Sequence, residues 1–270
     1  QRFLAECGVA SRRGAERWIR AGRVTVNGRL VTEPGVRIDP ASDDVRIDGR
    51  RLRPEPRQYL LLHKPRGILC TCHDPQGRRT ILHLLPRTLG VRLYPVGRLD
   101  LDSEGLLLLT NDGELAARLI HPRYHVAKVY RVWTDRPLSP AWLSRFVNGV
   151  VSKGELLRAV RVRPAGAGRG GAEYEFVLIE GRNRQIRRMV ECAGVQVVRL
   201  LRTRMGPLAL GRLPAGRWRR LRRGELEAVR AAAGLSGDAR PENAPECSEP
   251  HPPALEGSSY NTSPSKGCTL

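Results

Sequence analysis

The sequence predicts an α+β protein in which a small N-terminal domain precedes a larger domain built on a mixed sheet. Its 270 residues are enough for about two domains of ordinary size. Pro54 and Pro56, within the charged stretch 49–57, are typical of an extended linker between residues 1–48 and 58–235. In 58–235 several apolar runs follow one another without intervening helices, which favours a mixed sheet over a regular βαβ array.

The first 48 residues predict two helices followed by a hairpin. Apolar residues recur at helical spacing before and after Ser11, a residue type that often caps a helix N-terminus. Gly22 is predicted to end the second helix. The pair Asn27-Gly28 between two β-branched runs is the strongest short-range signal for a hairpin.

The sequence of the second domain predicts a mixture of strands and helices. Strands are expected at 59–63, 106–110, 129–133, 160–162, 174–179 and 197–201, and helices at 114–120, 140–148 and 184–192. The Gly- and Ala-rich stretch 164–172 is predicted to be a surface loop. Residues 236–270 contain six prolines, six serines and little apolar sequence, so we expect a disordered tail.

Charge indicates the kind of partner. The chain has 47 basic and 27 acidic residues, a formal charge of +20, and the two basic residues of the tail are outnumbered by five acidic ones. The folded part is therefore strongly basic, which is typical of proteins that bind a polyanion. No run of 18 apolar residues is present, which argues against a membrane span. The six cysteines form no disulfide framework and fit a reducing cytosol.

Arginines follow the second predicted helix. Arg13, Arg17 and Arg20 share one face, with Arg12 before them and Arg23 after them. Such a face is often merely solvated. Like charges at this spacing repel one another unless something neutralises them, however, and a phosphate backbone would do so. Together with the hairpin, this pattern resembles the S4 RNA-binding domain through residue 48.

Asp100 is the first candidate for chemistry. It lies between Arg98 and a turn that ends at Gly105, directly before an apolar strand. A carboxylate in such a loop is a candidate nucleophile or base, although an Asp in a turn can equally bond its own backbone. Glycosidases need a second carboxylate, which Asp102 or Glu104 could offer, but nothing else in the sequence supports that chemistry.

A second basic cluster lies in the motif 181–189. Arg184, Arg187 and Arg188 are spaced i, i+3 and i+4 on a short helix, so they could face phosphates or form an ordinary exposed face. Zinc is not expected at Cys70, Cys72 and His73 because their close spacing lacks a second ligand cluster.

Four motifs in a fixed order resemble the RsuA/RluB/RluE/RluF family of ribosomal RNA pseudouridine synthases over residues 1–235. They are His63-Lys64-Pro65-Arg66-Gly67, Gly97-Arg98-Leu99-Asp100, Ala127-Lys128-Val129-Tyr130 and Gly181-Arg182-Asn183-Arg184-Gln185-Ile186-Arg187-Arg188-Met189. The closing segments 204–208 and 216–221 also fit. Gly14 departs from the family, which usually has a charged residue there.

The resemblance implies isomerisation of uridine to pseudouridine in a central cleft, with the target base extruded from its stack. Asp100 would initiate catalysis by covalent addition or by removing a ribose proton, Tyr130 would stack on the base, and Arg187 would pair with Asp100. No cofactor or metal is expected, since the reaction involves no redox change. The expected RNA-binding residues are Arg12, Arg13, Arg17, Arg20, Arg23, Lys64, Arg98, Arg184 and Arg188.

The expected partner is ribosomal RNA, either 23S rRNA or a pre-ribosomal particle, bound by a cytoplasmic monomer. Two alternatives stay open: the same reaction on 16S rRNA, and a non-catalytic S4-type RNA-binding or ribosome-assembly factor. The presence of all three catalytic residue types favours the enzyme.

Overall fold

The computed structural model describes residues 1–168 and 171–235, so the predicted tail at 236–270 lies outside the described residues. The N-terminal domain contains helices α1 (Arg2–Glu6) and α2 (Arg12–Arg20). Ser11 caps α2 by accepting a hydrogen bond from the Gly14 amide, as predicted. The inner face of α2 packs into a small apolar core through Ala15 and Ile19.

A small antiparallel sheet completes this domain, in the order β2-β1-β3-β4. Its strands are β1 (Val24–Val26), β2 (Arg29–Val31), β3 (Val45–Ile47) and β4 (Arg50–Arg51). Asn27 and Gly28 both have positive φ, 51° and 79°, which is the turn geometry that the hairpin prediction required. Because β4 pairs with β3, the sheet continues two residues into the predicted linker 49–57.

The rest of that linker is held at several points. The Glu55 amide donates to the Glu6 carbonyl, and its carboxylate accepts from the Arg92 amide at 3.0 Å. Asn111 donates its side-chain amide to the Pro56 carbonyl. Residues 52–57 belong to no helix or strand, and they are hydrogen-bonded to residues on both sides of the segment.

The second domain is built on a sheet with the order β11-β12-β8-β13-β7-β5-β15, to which β14 and β6 add at β13 and β7. Its strands are β5 (Tyr59–Lys64), β6 (Tyr94–Pro95), β7 (Glu104–Thr110), β8 (Lys128–Thr134), β11 (Arg161–Gly168), β12 (Gly171–Leu178), β13 (Val197–Met205), β14 (Leu208–Ala209) and β15 (Trp218–Arg220). β13 runs parallel to β7 and antiparallel to β8. The sheet is therefore mixed, as predicted.

Helices cover both faces of the central strands. They are α3 (Gly113–Ile120), α4 (Pro140–Asn148), α5 (Gln185–Cys192) and α6 (Arg223–Ala232). Alternate residues of β7 enter two apolar cores: Leu107 packs with residues of α4 and α5, and Leu106 with residues of α3 and α6. Burial on both faces explains why this strand reads as an unbroken apolar run. No helix in the described part of the chain has the length and apolar character of a membrane span.

The prediction of a surface loop at 164–172 is wrong. Residues 164–168 belong to β11 and residues 171–172 to β12, and the two strands pair antiparallel with an irregularity between Pro164 and Gly166. β11 is an edge strand. An edge strand tolerates a proline because its outward amide needs no partner in the sheet. A second, separate hairpin, β9 (Val150–Ser152) with β10 (Glu155–Leu157), was not predicted.

Candidate active site

The loop that carries Asp100 folds around a buried lysine. Lys64, at the end of β5, has no solvent exposure, and its Nζ donates to the carbonyls of Pro65, Asp100 and Ser103 at 2.8–3.0 Å. Burial lowers the pKa of its ammonium group. The buried side chain of Lys64 is used to shape the loop and leaves no exposed surface for the predicted contact with RNA.

Arg187 approaches this loop from α5 but pairs with a different carboxylate from the predicted one. Its Nη2 lies 3.1 Å from Asp102 Oδ2 and donates to the Asp102 carbonyl, while its Nη1 donates to the Val197 carbonyl. The predicted pairing with Asp100 is replaced by one with Asp102, two residues further along. Burial is the main cause that lowers the pKa of this guanidinium, and the negative charges of Asp102 and Asp100 oppose that shift.

Tyr130 lies on β8 of the central sheet. Side chains of β8 alternate in burial, and Lys128, Tyr130 and Val132 point inward. Tyr130 is 9% exposed and belongs to one apolar cluster with Leu99 and Ile186. Since these last two residues directly precede Asp100 and Arg187, the structure gathers the elements of all three predicted catalytic residues around one core.

Sequence reasoning missed Arg202, which lies opposite Tyr130 in the register of β13 and β8. It is 3% exposed, its Nε donates to the Leu106 carbonyl at 2.7 Å, and its Nη2 has no partner among the described residues. Arg202 directly follows the apolar pair Leu200-Leu201 but is one of three arginines in β13, so no signal in the sequence singled it out. Charged groups are seldom buried in strands without a role in structure or function.

Lys128 is a second buried cation on this face. It is 8% exposed, and its Nζ donates to the Ile179 carbonyl at 3.4 Å. Burial, with Arg202 as the second cause, lowers its pKa to about 8. This amine therefore titrates close to neutral pH.

We expect this titration to be visible in stability. Above about pH 8 the native amine loses its proton, whereas the unfolded chain keeps it up to an ordinary pKa of 10.5. The unfolded state then binds more protons, so the free energy of unfolding rises with pH in that window. Urea unfolding from about pH 7 to pH 10 should show wild type gaining stability relative to Lys128→Met. The exposed Lys153→Met is the control, and a pH-independent difference for Lys128→Met would contradict the shift.

Arg188 also differs from its predicted role. Its Nη1 lies 2.6 Å from Glu155 Oε2, and its Nη2 donates to the Ser152 carbonyl. The side chain is 9% exposed. It ties α5 to the β9–β10 hairpin, and these protein contacts occupy the donors that the sequence analysis assigned to RNA. Arg184, at the start of α5, is exposed and lies 3.4 Å from Asp102 Oδ1.

The N-terminal domain presents the predicted arginines to solvent. The exposed side chains on α2 and just before it are Arg12, Arg13, Arg17 and Arg20. Arg23 has an acidic partner in Asp48 and lies 5.0 Å from the Trp18 ring, so its charge is partly neutralised. Arg98, beside the Asp100 loop, is exposed.

The two cysteines near the site pack against the strand before the loop. Cys70 Sγ lies 3.9 Å from the Gly97 carbonyl, and Cys72 Sγ lies 3.6 Å from the Leu93 carbonyl. Within residues 1–168 and 171–235, no group of three His, Cys, Asp or Glu side chains is arranged to hold a metal ion.

Comparisons with known proteins cover most of the chain. Residues 58–192 match the RNA pseudouridylate synthase family, and residues 1–45 match the S4 domain. An uncharacterized RNA pseudouridine synthase of Aquifex aeolicus (strain VF5) is 40% identical over 235 residues, 87% of this chain and 94% of the relative. Ribosomal large subunit pseudouridine synthase B of Bacillus subtilis (strain 168) is 39% identical over 240 residues, 86% of this chain and 96% of the relative. A crystal structure of a pseudouridylate synthase has a TM-score of 0.60 and 30% identity, covering 84% of this chain and 97% of that one.

Proposed function

Because this chain belongs to the RNA pseudouridylate synthase family and has an S4 domain before its catalytic domain, we propose that it modifies one uridine of large-subunit ribosomal RNA. The chain is an RNA pseudouridine synthase. Support for the large subunit comes from relatives such as the Bacillus subtilis protein, whose name specifies it. A cytoplasmic location would follow from that substrate and fits the free cysteines Cys7, Cys70, Cys72 and Cys192.

The reaction breaks the bond between ribose C1′ and uracil N1 and forms a bond from C1′ to C5. The proton on C5 is lost and N1 gains one, so no electrons leave or enter. One carboxylate is enough to begin this sequence, either by adding to the nucleotide or by taking a ribose proton. Asp100 is our proposal for that carboxylate.

The single observation that supports this assignment is that other residues make the contacts that fix the 100–103 loop. Asp102 forms ion pairs with Arg187 and Arg184, and Lys64 donates hydrogen bonds to backbone carbonyls of the loop. Other residues therefore hold the loop in shape and pair with the nearby arginines, so the carboxylate of Asp100 is not needed for either purpose. Preorganisation of this kind keeps a reacting group in place without occupying it. Tyr130 is proposed to support the extruded base from below.

The test is tritium release from RNA labelled at uridine C5, since binding alone cannot release that hydrogen. Unmodified transcripts of 23S and 16S rRNA are compared as substrates. Release from 23S rRNA, together with loss of one pseudouridine from 23S rRNA in cells that lack the gene, is the expected result. Release only from 16S rRNA would overturn the large-subunit assignment, and release from neither would overturn ribosomal RNA as the substrate.

We also propose that the α2 arginines bind phosphates. If Arg13, Arg17 and Arg20 each contact one, replacing all three by Ala should flatten the log–log salt dependence of RNA affinity by about 2–3 units. The single-turnover rate at saturating RNA should change much less, because Asp100 lies in the other domain. The matched control replaces Arg161, Arg163 and Arg223, three exposed arginines that already have acidic partners. Equal slopes for both triple variants would mean that the α2 face is merely solvated.

A further inference from the structure

A cavity of about 540 Å³, here called the side cavity, has a lining that does not include Asp100, Tyr130 or Arg187. Half of its ten lining residues lie in the β9–β10 hairpin or close to it in sequence, namely Val147, Leu156 and residues 158–160. The lining side chains used in the argument are Val147, Leu156, Arg158, Val160, Arg182 and His125. Its volume lies within the range of sites that hold small ligands or parts of larger ones.

An ion pair and several hydrogen bonds hold the wall of the side cavity in place. Its hairpin wall is tied to α5 by the ion pair of Arg188 with Glu155. Gln185 Nε2 donates to the Arg158 carbonyl at 2.9 Å and to Glu180 Oε1 at 2.8 Å. The lining segment 179–182 then continues into α5, whose Arg187 pairs with Asp102. One continuous segment thus connects the cavity wall to the loop that carries Asp100.

The lining combines exposed apolar side chains with a cation. Val147, Leu156 and Val160 are 39%, 42% and 53% exposed, and all three face this one cavity. Large apolar side chains exposed in one group typically mark a binding surface. Arg182 forms ion pairs with Glu180 and Glu155, whereas the side chain of Arg158 is exposed at the same wall. An apolar wall with a neighbouring guanidinium matches the flat face and the phosphate of a nucleotide.

We propose that the side cavity binds a second unpaired nucleotide of the substrate RNA, with its base against Leu156 and Val160 and its phosphate on Arg158. This inference rests on the proposed function, because the nucleotide belongs to the same RNA strand as the target uridine. RNA is the occupant that the charge of the chain favours, since the formal charge is +20. Holding a neighbouring nucleotide would fix the register of the strand over Asp100.

The test places a carboxylate in the cavity. Leu156→Asp and Val160→Asp each bring a charge that repels phosphate and disfavours an apolar base face, and both sites are exposed enough to keep the fold. With unmodified 23S rRNA transcript labelled at uridine C5, KM should rise about tenfold while kcat stays within about twofold of wild type. Val151→Asp is the matched control: Val151 pairs with Leu156 across the hairpin and is 68% exposed, but it does not line the cavity.

A second measurement locates the RNA directly. Ultraviolet crosslinking of the wild-type complex, followed by mass spectrometry, should find nucleotide adducts on residues 156–160 or 179–182. An unchanged KM in both variants, or an equal rise in Val151→Asp, would overturn the side-cavity proposal, and so would crosslinks confined to other segments. A protein partner at this cavity would give the first of these results. Lack of tritium release by wild type would instead overturn the proposed function.

Discussion

Replacing Asp100 by Asn is expected to lower the rate of uridine isomerisation by about 10³-fold or more, because the variant removes the carboxylate that begins the reaction. The affinity for RNA should stay nearly unchanged. Asn has almost the same shape, and the substitution removes a negative charge rather than a phosphate ligand. Single-turnover tritium release measures the rate, and filter binding of the same transcript measures the affinity.

The neighbouring carboxylate provides the control for this experiment. Asp102→Asn keeps Asp100 but weakens the contact of Asp102 with Arg187, so its rate should fall by less than that of Asp100→Asn. A rate for Asp100→Asn within tenfold of wild type would remove Asp100 from the chemistry. A larger loss in Asp102→Asn would assign the reacting role to Asp102 instead.

Lys64→Met is the second substitution with a large expected effect. The methionine has a similar volume but no donor, so the carbonyls of Pro65, Asp100 and Ser103 lose their shared partner. Buried polar groups left without partners cost free energy, and we expect the free energy of unfolding to fall by about 2–4 kcal/mol. The turnover number should fall as well, because the loop that holds Asp100 loses the group around which it folds.

Urea unfolding and tritium release below the transition separate these two effects. Lys153→Met is the control, because it also replaces a lysine by methionine but at an exposed position of the β9–β10 hairpin, away from the loop. If Lys64→Met were as stable and as active as wild type, the buried ammonium would contribute neither to the fold nor to the position of Asp100. Normal stability with lost activity would confine its role to the loop.

Several features could be predicted from sequence because they depend on near neighbours. The Ser11 cap involves the amide of Gly14, three residues on, and the turn at Asn27 and Gly28 closes two adjacent strands. The exposed arginines of α2 follow from helical spacing alone. The order of the four motifs likewise identified the family without any knowledge of contacts. The cap, the turn and the helix face each depend on residues a few positions apart along the chain, where backbone geometry limits the possibilities.

The tertiary structure decided which cations are buried in contacts within the protein and which are left exposed. Lys64 bonds to the carbonyl of Asp100, 36 residues away, Arg188 to Glu155, 33 residues away, and Arg187 to Asp102, 85 residues away. The sequence does not distinguish a basic residue that binds a phosphate from one that binds a buried oxygen of the protein. Only folding determines how much water it loses and which group replaces that water, and this balance of desolvation and pairing sets the role of each cation.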